Sequence, residues 1–194
     1  MKNTSRFLLL SACALGFVAF GNDAKAQTAN MTATATVQNT LTLATPLQLN
    51  FGSFAAVRDA AQTASITVSA AGVESVATTG GTAVTAVVDN TAVSQGQITV
   101  ADGADGAAIN IVINNVVDPI NGAESFVLAG FSTRWNGGAP VARTAATPFS
   151  QTFDAAIGPN LNVLDIGATL TTTLGAVPYT DGVYNGTYDV VFSY

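Results

Sequence analysis

The chain has 194 residues, 12 acidic against 6 basic side chains, no histidine and one cysteine, for a formal net charge of −6 at pH 7. That balance excludes the clustered Lys and Arg that nucleic-acid phosphates and anionic lipid headgroups require. Without histidine, Ser-His-Asp, Cys-His and His-ligated zinc sites are excluded as well.

In chain order, residues 1–26 carry the pattern of a secretory signal peptide. Lys2 and Arg6 make a basic start, residues 7–20 an almost continuous apolar stretch, and Ala24-Lys25-Ala26 the small-x-small cleavage pattern. The apolar stretch is shorter than the ~20 residues a helix needs to span a bilayer. A competing reading takes Leu10-Ser11-Ala12-Cys13 as a lipoprotein signal with Cys13 lipidated. Against it, apolar residues continue past Cys13 to Phe20, whereas a lipidated cysteine ordinarily follows the apolar stretch. Cleavage before Gln27 gives an exported chain, periplasmic in transit and then at the cell surface or outside it. Lys2, Arg6, Lys25, Asp23 and Cys13 leave with the signal, so Arg58, Arg134 and Arg143 are the remaining side-chain cations. Without lysine or cysteine, Schiff-base, phosphate-loop and thiol chemistry are also gone. Residues 27–194 are long enough to bury one core without disulfides and are expected to form a single domain.

Helix signals are weak after the signal. β-branched residues recur at a period of two, and Gly, Asn-Gly and Asp-Gly cut the chain into short runs. The pattern predicts strands over residues 31–43, 47–54, 64–69, 84–88, 97–101, 108–114, 125–131, 162–172 and 183–194, with 136–156 as an extended loop. Several short strands between turn signals predict an all-β, immunoglobulin-like (pilin-like) β-sandwich.

The two ends are the most patterned. Ala29, Met31, Ala33, Ala35 and Val37 alternate with Asn30, Thr32, Thr34 and Thr36 in a run without charge, Gly or Pro. Residues 28–38 are therefore a candidate donor strand, which either pairs with a neighbouring copy by β-strand addition or forms the first strand of a self-complete sandwich. At the other end Tyr184, Gly186, Tyr188, Val190, Phe192 and Tyr194 fall on one face of an extended strand, predicting a half-buried strand whose last residue packs.

Leu41-Thr42-Leu43-Ala44-Thr45-Pro46-Leu47 running into Leu49-Asn50-Phe51-Gly52-Ser53-Phe54 resembles the start of small exported fimbria-like proteins, including the spore coat protein U group of archaic pilins. The chain is most similar to the domain of unknown function 4402 family of secreted bacterial proteins. It shares the Asn-Phe-Gly element, the later Leu161-Asn162-Val163 with Gly167-Ala168-Thr169-Leu170, and the closing Gly182-Val183-Tyr184-Asn185-Gly186-Thr187-Tyr188 run. The resemblance implies an immunoglobulin-like sandwich, a fimbrial role, and a periplasmic chaperone and usher as partners. It carries over no catalytic residue. The chain departs from archaic pilins in lacking a cysteine near residues 41–45, and from chaperone–usher pilins in placing its terminal aromatic last.

Candidate sites are few. Asp102-Gly103-Ala104-Asp105-Gly106 could offer two carboxylates to calcium, but it lacks the full calcium-loop pattern and Asp-Gly also makes an ordinary turn. Trp135, before Asn136-Gly137-Gly138, is either a sugar-stacking or partner-contact residue or a plug at the end of the core. No pair of carboxylates stands out for glycoside hydrolysis. The expectation is a non-catalytic, cofactor-free structural subunit of a surface filament assembling by β-strand addition; the alternative is a monomeric secreted adhesin or carbohydrate-binding module.

Overall fold

The computed structural model describes residues 32–34, 40–157 and 161–194. The chain divides into two units, Met1–Thr36 and Val37–Tyr194. Of the first, only Thr32, Ala33 and Thr34 are described, exposed and without regular structure; the expected signal and the rest of residues 28–38 lie outside the described residues.

The second unit is all-β. Its strands are β1 (Thr42–Leu47), β2 (Ser53–Val57), β3 (Ala64–Val68), β4 (Glu74–Thr78), β5 (Val84–Asp89), β6 (Gly96–Ala101), β7 (Ala108–Asn121), β8 (Glu124–Trp135), β9 (Val141–Ala142), β10 (Phe149–Thr152), β11 (Asn162–Thr172) and β12 (Asn185–Ser193). No helix among the described residues is long and apolar enough to cross a membrane.

β11 organises the larger sheet. One edge pairs antiparallel with β8; the other pairs first with β6, through Asn162 to Ile166, and then with β3, through Ala168 to Thr171. The change of partner falls at Gly167, where a Cβ would lie 2.3 Å from the Val68 carbonyl oxygen and 2.3 Å from the Ser69 carbonyl carbon. Only glycine lets the β3 backbone cross so close. Opposite, Gly130 (φ +60) absorbs a bulge in β8, letting that strand stay paired on both sides of the switch. β1 lies outside β6 as a fully exposed edge strand with Pro46 at its bulge, a position where the missing N–H costs no ladder bond.

β7 carries the second layer, with β12 on one edge and β10 on the other. It pairs with β8 only at Ile120–Ser125 and Asn121–Glu124, so this hairpin folds one layer onto the other. Ile109, Ile111 and Ile113 of β7 face inward at alternate positions and meet Ile66, Val100, Leu164, Ile166, Phe131 and Phe153, all buried. This is the β-sandwich arrangement. A separate two-stranded sheet, β2 with β5, brings Phe54 and Ala56 against the core. Across the three neighbouring strands β8, β11 and β6, the Arg134 guanidinium gives Asp165 Oδ2 two hydrogen bonds, 2.9 Å from Nε and 2.7 Å from Nη2, while Gln97 Nε2 occupies Oδ1 at 2.9 Å. A buried carboxylate is tolerated because every face is partnered.

The structure corrects several sequence expectations. Within the run expected at 31–43, residues 32–34, 40 and 41 are outside any strand and β1 starts at Thr42, since alternation alone does not hold a strand; residues 31 and 35–39 lie outside the described residues. The strand expected over 47–54 is broken at Asn50-Phe51-Gly52. There Asn50 Oδ1 accepts the Gly52 N–H at 2.8 Å and Gly52 sits at φ +70, an Asx turn that re-aims the chain into β2. β7 outruns 108–114 because Asn115 (φ 49) acts as a bulge within the strand, and β8 outruns 125–131 by pairing with β11 up to Trp135. β4 was not foreseen, nor were β9 and β10, which cross the supposed loop 136–156.

Gly167→Ala should cost about 3 kcal/mol of stability in denaturant unfolding, at the top of the range for overpacking. Gly106→Ala, where the added carbon meets nothing within 4 Å, should cost only the left-handed backbone, about 1 kcal/mol. Equal costs would sink the close-approach argument.

Candidate functional site: a cleft beside the last strand

β12 begins where β7 bends. Gly186 lies under the Val117 carbonyl, which a Cβ would approach to 2.6 Å, so glycine keeps β12 paired through the distortion. Along β12 Tyr188, Val190 and Phe192 are half-buried and pack on the core, as the alternation predicts; Tyr184 precedes the strand and also packs there. Tyr194 follows it, is 44% exposed, and accepts a hydrogen bond from the Ala104 N–H at 3.2 Å through its hydroxyl. Its ring therefore does not close the core as expected. β12 pairs with β7 and with no other described strand, so its second edge is open among the described residues.

Beside the start of β12 runs a cleft of 580 Å³. Residues 49–56 form one wall, residues 179–186 with Tyr188 the other, and Phe126, Leu128 and Leu170 the apolar floor. A second cavity of 440 Å³ between Gly72–Val76 and Val87–Val93 is a shallow surface depression without aromatic groups.

An aromatic cluster closes one end of the cleft. Phe126 stacks on Tyr179 at 4.2 Å and 8°, and meets Phe54 and Tyr184 edge-on at 5.4 and 5.1 Å. Arg58 lies 4.4 Å from the Tyr179 ring centroid and 3.3 Å from Glu124 Oε1. Glu124 Oε2 accepts the Thr180 N–H and, at 2.6 Å, the Tyr184 hydroxyl. These bonds, the Thr180 amide first, hold the Glu124 carboxyl below its ordinary range. Burial, helped by the adjoining Glu124, pushes the Tyr184 phenol up to about 12, and burial alone does the same for Tyr188.

Asp181 is the charged side chain among the residues that line the cleft. The apolar floor lies beside the edge of β12 that has no partner strand among the described residues. Among the described residues no group of three or more His, Cys, Asp or Glu could hold a metal ion. Asp102 takes a left-handed turn conformation (φ 62), and Asp105 Oδ1 accepts the Ala155 N–H at 3.0 Å. Both belong to the β6–β7 loop, which Phe153 meets from just after β10, its carbonyl accepting the Gly106 N–H at 3.0 Å. Trp135 is half-buried against the core and donates its indole N–H to the Thr152 carbonyl at 3.1 Å.

Of the donor-strand residues, Ala33 is described, exposed and outside any strand; Ala29, Met31, Ala35 and Val37 lie outside the described residues. Sequence reasoning named Tyr184 and Tyr188 but missed Phe54, Arg58, Glu124, Phe126 and Tyr179. The Pro178-Tyr179-Thr180-Asp181-Gly182 turn, an aromatic amid turn formers, was the signal available.

A family model described as Domain of unknown function (DUF4402) matches residues 41–194. No curated protein and no solved structure matches the chain.

Because the folded state holds the Tyr188 proton after an unfolded tyrosine, ordinarily near 10, has released it, this group's contribution to stability is complete below pH 10. It is lost as pH rises towards about 12. Tyr188→Phe should remove one late phenolate absorbance step and flatten the alkaline loss of stability; an unchanged titration would show that the ring is not buried as described.

Proposed function

Because the chain belongs to the DUF4402 family, whose description names no activity, we propose from its own residues that it is an exported structural subunit of a bacterial surface filament. Residues 1–26 direct export and are removed. Residues 28–38 of one copy then enter the cleft of the next, pairing with the open edge of β12 and setting Ala29, Met31, Ala33, Ala35 and Val37 against the floor. The similarity of the Leu41–Phe54 stretch to fimbria-like proteins and the spore coat protein U group supports this role, with a periplasmic chaperone and usher as handling partners.

One observation carries the reading: an unpaired strand edge lies beside an apolar-floored cleft in a chain that also holds an uncharged alternating segment looking for a sheet. Small alternate side chains suit that floor, where Phe126, Leu128 and Leu170 already fill the depth. A contact between the front of one copy and the cleft of another is head-to-tail, and such contacts propagate into open fibres when the rotation does not close. The alternative of a glycan-binding module has weaker support, since the Trp135 N–H that would orient a sugar is already committed to Thr152.

Deleting residues 27–38 should leave a monomer that no longer enters surface filaments, while the intact chain forms a ladder of oligomers in gels run without boiling. If both proteins stay monomeric, or both enter filaments alike, strand addition is wrong.

A further inference from the structure

Between β11 and β12, residues 173–184 pair with no strand, yet they cover Phe126, which is only 2% exposed. This connection touches the core through two rings alone, Tyr179 and Tyr184. Its aliphatic residues point away: Leu174, Val177 and Val183 are 57%, 66% and 75% exposed. Without those rings the floor of the cleft would continue past Phe126 towards Phe54.

The polar fastenings are few and converge. Gly175 donates its N–H to the Asp59 carbonyl at 3.0 Å, and Thr173 donates its N–H to the Tyr179 hydroxyl at 2.8 Å. The Tyr179 hydroxyl in turn donates to the Ser125 carbonyl at 3.0 Å. The far end hangs on one carboxylate oxygen, Glu124 Oε2, which takes both the Thr180 N–H and the Tyr184 O–H. The closed arrangement also carries a fault: Arg58 Nε is buried without a hydrogen-bond partner among the described residues. An unmade bond of that kind disfavours the state that contains it.

We propose that residues 173–184 are a releasable strap, which occupies the aromatic end of the cleft in the free subunit and is held shut by Glu124. Lifting it frees Phe126 and Phe54 for the side chains of an entering strand and relieves Arg58. The role of the strap as a gate rests on the strand-addition reading; its fastening by Glu124 does not. The device keeps the floor covered until a partner strand competes for it, which limits unwanted apolar contact before assembly. The opening is a local event of the kind that exposed, unpaired connections undergo without unfolding the core.

Amide hydrogen exchange on the purified protein tests the fastening. Glu124→Ala should speed exchange at least tenfold at the strap's hydrogen-bonded amides, Thr180, Gly175 and Thr173, with β11 unchanged. Glu124→Gln, which keeps an acceptor, should stay within a few-fold of wild type, separating the fastening from any need for the residue in folding. Unchanged exchange in 173–184, or equal acceleration in β11, would overturn the strap. A synthetic peptide of residues 27–38 tests the gate, and it should bind the Glu124→Ala protein faster than wild type. Equal rates would overturn the gate alone; binding to neither protein would overturn strand addition and the gate together, whatever the exchange shows.

Discussion

The sandwich depends on the approach of two backbones at Gly167. A strand has two edges, and β11 must serve three partners, so one edge has to be shared end to end by β6 and β3. That sharing requires the β3 chain to leave the sheet plane where β6 arrives, and the crossing leaves no room for a side chain on β11. The bulge at Gly130 follows from the same event, because β8 must change register to keep pairing on the opposite edge. From there the layers are fixed: β3 carries the β4 hairpin outward, and the β7–β8 hairpin turns the second layer, with β12 at its edge, onto the first. The cleft is a by-product of this arrangement, since β2 leans on the core but pairs only with β5, leaving the edge of β12 uncovered among the described residues.

Charge is scarce, and what there is serves the interior more than the surface. Arg134 neutralises the buried Asp165, Arg58 bridges Tyr179 and Glu124, and Arg143 sits 3.9 Å from the Phe149 centroid while donating from Nε to Thr133 Oγ1 at 2.8 Å. Each arginine uses a planar guanidinium against a ring or a carboxylate, which a lysine ammonium would not reproduce. The outward faces are left to Thr, Asn, Ser and unpaired carboxylates. Asp59 shows the local use of a carboxylate: bonds from the Thr82 and Ala61 amides, with the Thr82 hydroxyl, hold it at about 2. It tethers the β2–β3 turn to the start of β5 rather than facing a ligand.

How much of this could be read beforehand follows from which interactions are local. β11 was legible to the residue, because Leu164, Ile166, Ala168 and Leu170 alternate without interruption between turn signals. The inward isoleucines of β7 were legible for the same reason. Asn115 misled, since it is a turn former by composition but here is a bulge that tertiary pairing carries through. Asn50-Phe51-Gly52 misled in the opposite direction, an apolar run hiding a side-chain-stabilised turn. β4, β9 and β10 are short and exposed on alternate or all positions, so burial left almost no imprint on their sequence. The cleft was legible on one wall only. Tyr184 and Tyr188 announce themselves by period, but Phe54, Phe126 and Tyr179 come from three distant stretches whose meeting is set by the sheet topology.

The same topology bears on how copies of the chain could meet. An acidic chain with a formal charge of −6 repels its own kind at close range, and salt screens that repulsion beyond a Debye length, roughly 8 Å at physiological salt. Association therefore has to come from forces that act on contact: backbone pairing along an open edge, and burial of small apolar side chains. Both are poorly selective alone, since any extended segment offers N–H and C=O groups and an open edge is an aggregation hazard. Selectivity has to come from the floor and its cover. In the proposed assembly, a cleft whose aromatic end is covered by Tyr179 and Tyr184 would reject chains that cannot displace them, and a donor run of Ala, Met and Val without a single charge would minimise the desolvation cost of entering. The proposed donor and acceptor thus constrain each other through volume and polarity, and entry into such a cleft would give the uncharged, Gly-free character of residues 28–38 a physical reason.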